Sequence, residues 1–295
     1  MTAVSVIVPA PSVSSGSFAR KLLRNRTVLF GLSILCILLL IAVFAGLPFT
    51  LDPADIHPRW RLRAPSAVNW LGTDHLGRDV WSRLIHGSRV SLIVGAAVAL
   101  ISVVVGSALG LVAGMVRWAD GLLMRAMDGV MAIPAILVAI ALIGGLGANI
   151  ATICIAISIP EIPRVARMVR SVVLTIREEA YVEAAISMGT RLPALIVRHI
   201  IPNILAPMIV QATYIASSAI LIEASLSFLG IGMPDEVPSW GNMMADARLY
   251  FQLKPGLMLF PGLCIALTVL GINRLGDGLR DTLDPRLARS VGAQT

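Results

Sequence analysis

Four stretches of the chain carry no charged side chain over the length of a membrane-crossing helix: Val28 to Leu47, Val90 to Val116, Ile200 to Ile222 and Pro255 to Asn273. About 20 apolar residues in helical conformation cross the roughly 30 Å of hydrocarbon in a bilayer. A fifth uncharged stretch, Gly129 to Pro160, has 32 residues, too many for one ordinary span and few for two. Its middle reads Gly144-Gly145-Leu146-Gly147-Ala148-Asn149, which is turn chemistry rather than helix interior. The pattern therefore predicts a helical hairpin whose second arm runs on through Glu161 and Arg164, and six spans in all. Val28 to Leu47 exceeds the apolar core of a signal peptide and reads as a retained span. The stretch before Arg20 is rich in Ser, Val and Pro and is expected to be unstructured.

Composition agrees with a polytopic membrane protein. Of 295 residues, 57% are hydrophobic and 14% charged, and the mean hydropathy is +0.84, too few charges to cover a water-exposed surface. That excludes a secreted disulfide scaffold or a disordered protein, and a soluble enzyme as the main character. Cys36, Cys154 and Cys264 each lie in an apolar run, where thiols act as small hydrophobes. The net charge of +7 comes from 24 basic residues spread along the chain, as basic inner loops of a membrane protein explain without nucleic acid. With six spans and the N-terminus inside, 16 of the 24 fall on the inner side. Five spans with the N-terminus outside also place 16 inside, so charge ties, and span length with the glycine-rich break decides for six.

No motif for chemistry within the chain is present. Lys21 precedes Leu22 and Lys254 precedes Pro255, so neither can serve a phosphate loop, which needs Lys followed by Ser or Thr. None of His57, His75, His86 and His199 precedes a Glu, and no Cys pair has zinc spacing. No catalytic residue, metal site or cofactor of its own is expected.

Polar and small residues within the spans point elsewhere. Ala99, Ser102, Gly106, Gly110 and Gly114 recur at three, then four residues, a stripe that lets another helix approach closely. It serves either packing within the chain or a subunit interface. In the later span Gln211, Tyr214, Ser218 and Ser225 fall near one face, with Ser217 and Glu223 beside it. Unpaired polar groups in hydrocarbon cost several kcal/mol, so these side chains face protein or a water-filled path. The readings left open are path lining, ordinary packing and, for Glu223, a substrate ligand or a place at the membrane edge.

Between the fourth and fifth spans, Glu178, Glu179 and Glu183 lie in a helix-favouring run that stops at Gly189, a residue suited to a left-handed helix end. Thr190 is placed to cap a second helix with Pro193 in its first turn. Helix, hinge and helix form either a lever or an amphipathic connector resting on the membrane. The loops Asp52 to Ser88 and Ser227 to Lys254 have the composition of shaped loops. In the second, Pro238-Ser239-Trp240-Gly241 offers an aromatic anchor for docking or gating, or a member of the interfacial aromatic belt.

Glu183-Ala184-Ala185 with Gly189, followed by His199-Ile200-Ile201-Pro202, resembles the cytoplasmic EAA loop of binding-protein-dependent ABC importer permeases. Leu71-Gly72-Thr73-Asp74-His75-Leu76-Gly77-Arg78-Asp79-Val80, with Ser82-Arg83-Leu84, is similar to the segment before the second span of the C-type permease of dipeptide, oligopeptide and nickel importers. Glu223-Ala224-Ser225-Leu226-Ser227-Phe228-Leu229-Gly230, Pro238-Ser239-Trp240-Gly241-Asn242, and Gly276-Asp277-Gly278-Leu279-Arg280-Asp281 with Asp284-Pro285-Arg286 resemble that family's later segments. The resemblance runs from about Arg20 to Leu287. Pro193 is a departure, since such permeases usually have no proline there.

The resemblance implies an all-α, MetI-like importer permease fold with six transmembrane helices in a bacterial inner membrane. It implies a homologous B-type permease partner, one or two ABC ATPase subunits that bind ATP and Mg, and an extracytoplasmic peptide-binding protein. The corresponding division is a cytoplasmic segment 1–27, a first span 28–47, an extracytoplasmic loop 48–88, a permease core 89–274 and a cytoplasmic tail 275–295. The core holds the coupling loop 163–200 and an extracytoplasmic loop 226–254. Glu183, Ala184, Ala185, Gly189, His199 and Pro202 would meet the ATPase, and Asp74, Arg78, Asp79 and Trp240 would serve docking or gating. Small peptides are the expected cargo. The rival readings are an ion-coupled secondary transporter, which needs paired intramembrane carboxylates, an intramembrane protease, for which no span holds a suitable His, and the same importer class carrying nickel or another small solute.

Overall fold

The computed structural model describes residue 22, residues 25–46 and residues 51–283. The N-terminal stretch before Arg20 and the motif Asp284-Pro285-Arg286 lie outside the described residues. Among the described residues ten α-helices follow one another: α1 (Arg26–Phe44), α2 (Val80–Met115), α3 (Arg117–Met131), α4 (Ala135–Leu146), α5 (Ile150–Arg177), α6 (Ala180–Ser187), α7 (Leu192–Leu195), α8 (Ile201–Phe228), α9 (Trp240–Ala247) and α10 (Gly256–Leu283). Among the described residues there is no strand, and the single isolated bridge joins Thr73 to Asp79.

The uncharged stretches become helices because lipid leaves backbone N–H and C=O groups no partner outside the helix itself. Four helices, α1, α2, the α7–α8 unit and α10, are long and apolar enough to cross a membrane, and the bent pair α3–α4 makes a fifth candidate. The charged residues Glu161, Arg164, Arg167 and Arg170 interrupt α5. It nevertheless packs along α2 through the densest part of the core, with Val94, Val98, Ile153, Ile157, Val165, Val169 and Val173 all buried. This arrangement is consistent with six spans. The glycine-rich break falls where the pattern predicts: Gly147 ends α4 at φ +84°, and Asn149 caps α5 by accepting from Thr152 N at 2.9 Å.

Three boundaries differ from the sequence expectation. The second long helix starts at Val80 rather than Val90, because Asp79 caps it by accepting from Ser82 N at 2.8 Å. The fifth continues to Phe228, past Ile222, so Glu223 lies inside it rather than at its edge. The third is an angle, since α3 and α4 meet at 83° across a break before Pro134. Proline disfavours helical conformation in the residue before it and lacks a donor, and both effects stop α3 from running into α4. α1 lies against α10 so closely that a side chain on Gly31 would meet the Gly271 carbonyl at 2.6 Å.

Candidate functional site

One end of the bundle carries the helix–hinge–helix. α5 ends at Glu178, and Glu179 stands at the N-terminus of α6, so the three glutamates do not share one helix. Gly189 ends α6 at φ +80°. The Thr190 N–H bonds the Ala185 carbonyl at 3.0 Å and the Gly189 N–H bonds Ile186 at 2.9 Å, closing the last turn as a left-handed cap does. Nothing lies within 4 Å of where a Gly189 side chain would be, so conformation rather than space requires glycine. Arg191, not Thr190, occupies the N-cap of α7, and no side chain caps it. Pro193 sits in the first turn, as expected.

From α7 the chain passes through one π-helical turn, Ile196–Ile200, into α8. Pro202 has no N–H to offer the Arg198 carbonyl, which favours the wider turn. The His199 carbonyl accepts from Asn203 Nδ2 at 2.6 Å. Glu183 and Ala184 are exposed, and Val182 and Ala185 are buried against the bundle. Tyr181, Ile186, Met188, Leu192 and Val197 are exposed in the same segment, together with Glu178, Glu179, Arg191 and Arg198. His199 lies against Tyr181 at a ring distance of 5.9 Å.

The polar residues of α8 divide between two faces. Gln211 and Tyr214 line an open groove of ≈ 350 Å³ with Met168, Val210 and Arg280. Tyr214 donates to Asp277 at 2.8 Å, and Ser225 is exposed and donates to the Leu221 carbonyl at 2.8 Å. Ser218 is half-buried. Ser217 is buried one turn from Tyr214 and faces the same helix α10, whereas Glu223 turns the other way. Ser217 donates to Asn273 Oδ1 at 2.8 Å, and Glu223, fully buried, accepts from Ser227 Oγ at 2.9 Å. Glu223 therefore belongs to the junction of α8 and α9 rather than to the face that Tyr214 presents.

The opposite end is a lobe of loops around α9. Arg78, buried, donates to Asp74 at 2.6 Å, to Asp246 at 2.9 Å and to the Asp235 carbonyl at 3.3 Å. Arg83, 1% exposed, reaches the Pro53 and Asp235 carbonyls at 3.4 and 3.5 Å. Burial pushes the Asp246 carboxyl above the ordinary aspartate range, while His75, Arg78 and Arg83 pull it down. Asp74, His75 and Asp246 bring ligand atoms within 4.8 Å of one another, yet two arginines stand in the same cluster and meet the carboxylates, so the chemistry is that of an ion-pair network. Asp79 is spent on the α2 cap and on Asn69 Nδ2 at 2.9 Å.

Trp240 is buried in this lobe at 1% exposure and donates to the Leu84 carbonyl at 2.9 Å. It lies neither on a lipid-facing belt nor on an exposed docking surface. Ser239 caps α9, and Asn242 Nδ2 holds the Met233 and Pro234 carbonyls at 2.8 and 3.2 Å. Asp246 and Asp235 escape a reading of the sequence because their partner Arg78 is distant along the chain and no spacing links them.

The stripe Ala99, Ser102, Gly106, Gly110 and Gly114 is buried within the chain. A side chain on Gly106 would meet Val165 Cβ at 2.6 Å, on Gly110 the Ala166 carbonyl at 2.5 Å, and on Gly114 Val173 Cγ1 at 2.6 Å. Its glycines serve α5 of the same chain.

Residues 102–289 match the family model described as binding-protein-dependent transport system inner membrane component, and residues 16–65 match that of the N-terminal transmembrane domain of oligopeptide transport permease C. The chain is 50% identical over 280 residues to a protein of Sinorhizobium fredii named probable peptide ABC transporter permease protein y4tQ, covering 95% of this chain and 96% of that one. It is 44% identical over 269 residues to the dipeptide transport system permease protein DppC of Alkalihalophilus pseudofirmus, covering 91% of this chain and 88% of that one. An all-helical bundle that presents a glutamate hinge at one end and a pinned loop lobe at the other is thus a multi-pass inner-membrane transport component rather than an enzyme, and the chain belongs to the family of binding-protein-dependent ABC importer permeases.

Proposed function

We propose that this chain is the C-type permease of an importer for dipeptides or oligopeptides, and that ATP hydrolysis in partner subunits drives it through the Glu183–Gly189 hinge. The observation that carries the reading is the exposed Glu183 on α6, in a segment that also exposes Tyr181, Ile186, Met188 and Leu192 and is followed by a left-handed glycine. An exposed carboxylate there suits a charge-assisted contact in an ATPase groove. Contacts that differ between two ATPase states would bias inward-facing and outward-facing arrangements of the spans. ATP and Mg belong to one or two ATPase subunits and not to this chain.

The half-exposed face of α8 with Gln211, Tyr214, Ser218 and Ser225 is suited to line a path shared with a homologous B-type permease. In this orientation the Glu183 end is cytoplasmic, and the lobe of Asp74, Arg78, Asp79 and Trp240 meets an extracytoplasmic peptide-binding protein. Buried Trp240 would act there by holding the lobe's shape. Peptide cargo is supported by the printed names of the relatives, which speak of peptides and dipeptides. An ion-coupled carrier would need its intramembrane carboxylates paired for a coupling ion, whereas Glu161 bonds Arg164 at 2.7 Å and Glu223 bonds Ser227.

The test is the reconstituted complex. Glu183→Ala is expected to abolish dipeptide uptake and peptide-stimulated ATP hydrolysis while all subunits still co-purify. Normal uptake would overturn the coupling role, and uptake driven by an ion gradient without ATP would overturn the whole reading. Sidedness is checked by a cysteine at Ser187, which must resist an impermeant reagent in intact cells.

A further inference from the structure

The helix α3 has no role in the reading above, and its surroundings are unlike those of the other helices. It meets α4 at 83°. α4 packs against α5 within the bundle, and the bend turns α3 across the direction of α4. The end at which it lies is that of the Glu183 hinge, because the Arg177 guanidinium at the end of α5 donates to the Gly114 carbonyl at 2.7 Å, three residues before α3 begins.

Both acidic side chains of α3 are paired. Asp120 is held by Arg170 at 2.5 and 2.6 Å, and Asp128 by Arg167 at 2.5 Å, so both acidic side chains are neutralised by α5. Ala119 is the buried residue of the helix. Trp118, Leu122 and Arg125 follow at four and three residues and share the outer side. Trp118 is 80% exposed and Leu122 68% exposed. Arg117 and Arg125 are exposed, and their guanidinium groups have no partner among the described residues. Exposed on α3 are thus a tryptophan, a leucine and two cations without a partner, beside an Asp128 whose charge Arg167 neutralises.

We propose that α3 is an interfacial helix that seats Trp118 and Leu122 among the lipids of the leaflet on the Glu183 side and binds anionic phospholipid headgroups through Arg117 and Arg125. A water-exposed Trp118 and Leu122 would leave a large apolar area unburied, whereas an indole at headgroup depth buries its ring and keeps its N–H wet. Long arginine side chains reach from such a helix to the phosphates. The attraction of a basic residue to an anionic surface enriches anionic lipid about fivefold per arginine at low ionic strength. This does not depend on which solute the permease carries.

The experiment uses the full chain in bilayers of phosphatidylcholine and phosphatidylglycerol, with bromines placed on only one of the two lipids. The chain has 5 Trp, so the emission lost in Trp118→Phe isolates the signal of Trp118. That signal is expected to be quenched more by bromines near the headgroup than by bromines deep in the chains, and more by brominated phosphatidylglycerol than by its share of the bilayer. Arg125→Gln is expected to lower that preference about fivefold, and Arg117→Gln with Arg125→Gln to remove it. Quenching of Trp118 by neither lipid would overturn the proposal. So would equal quenching by both lipids, or a Trp118 signal that aqueous acrylamide reaches until the ATPase subunits are added, which would make α3 a protein-docking face.

Discussion

The indole of Trp240 donates to the Leu84 carbonyl at 2.9 Å, joining residues 156 apart in sequence. The bond fastens α9 to the first turns of α2. Gly87 lies beneath the ring, where a side chain would come within 3.1 Å of Trp240 Cδ1. On its other side α9 rests on α8, where Gly241 leaves 2.7 Å between a would-be side chain and Ser227 Cβ. A single aromatic thus sets the spacing of the lobe on which a binding protein would land.

Replacing Trp240 therefore acts on stability before it acts on docking. Trp240→Ala is expected to cost about 3–5 kcal/mol of lobe stability through the cavity it leaves. Trp240→Phe keeps most of the packing and loses one hydrogen bond, about 1 kcal/mol. Thermal unfolding of the purified chain in detergent should rank wild type, Phe and Ala in that order. Equal melting of all three would mean that the indole is not the anchor.

The Arg78 network gives a second expectation, with a pH signature. Arg78→Ala leaves the buried Asp74 and half-buried Asp246 carboxylates without their closest cation, at a cost of up to about 3–5 kcal/mol. Losing Arg78 removes one of the interactions that hold the Asp246 carboxyl down, so its folded pKa rises further above the unfolded value. A raised carboxylate pKa costs stability above that pKa, and the cost fades as pH falls through it. The variant's deficit against wild type should be larger at alkaline than at mildly acidic pH, as read by melting at both. A deficit independent of pH would remove electrostatics as its cause.

Much of the bundle was legible because hydrocarbon imposes one local rule on every span. The uncharged runs predicted α1, α2, α8 and α10, and the Gly147–Asn149 break predicted the start of α5. Where the helices begin and turn was less legible, because capping and long-range pairs decide it. Asp79 starts α2 before the uncharged run does, and Pro134 starts the first arm of the hairpin as α4, at an angle to an α3 that begins before the uncharged run. The tied charge count has a similar origin. Arg78 and Arg83 are buried among aspartates, and Arg89 donates to the Ala42 and Val43 carbonyls at the end of α1, so three of the arginines counted as loop charges are structural. The hinge was readable from Glu183 and Gly189 in one short segment. The sorting of Glu223 away from Tyr214 was not, since a helical stripe does not say which neighbour covers it.

The small-residue stripe separates packing within the chain from assembly with a partner. Gly110→Val would drive a side chain into the Ala166 carbonyl and Val169, and overpacking of this kind costs about 1–3 kcal/mol or more. The chain expressed without partners should then lose thermal stability, and Gly144→Ala, with nothing within 4 Å, should melt like wild type. A lone Gly110→Val chain that melts normally but fails to assemble would place the stripe at a subunit interface.

Gly189 allows the hinge to be tested without adding a clash. Its φ of +80° is the left-handed region, and the space around its missing side chain is open. Any side chain there meets only the conformational penalty, about 1–2 kcal/mol for an ordinary L-residue and less for Asn, which bonds its own backbone in that region. Gly189→Asn is expected to retain most uptake in the reconstituted complex. Gly189→Ala should reduce it, and the branched Gly189→Val, for which the left-handed turn is least accessible, should reduce it furthest. Because none of the three side chains touches a neighbour within this chain, the order Gly, Asn, Ala, Val is the mark of backbone conformation. If Asn fails as badly as Val, the open space at Gly189 is filled in the working complex, and contact with a partner rather than the turn selects glycine.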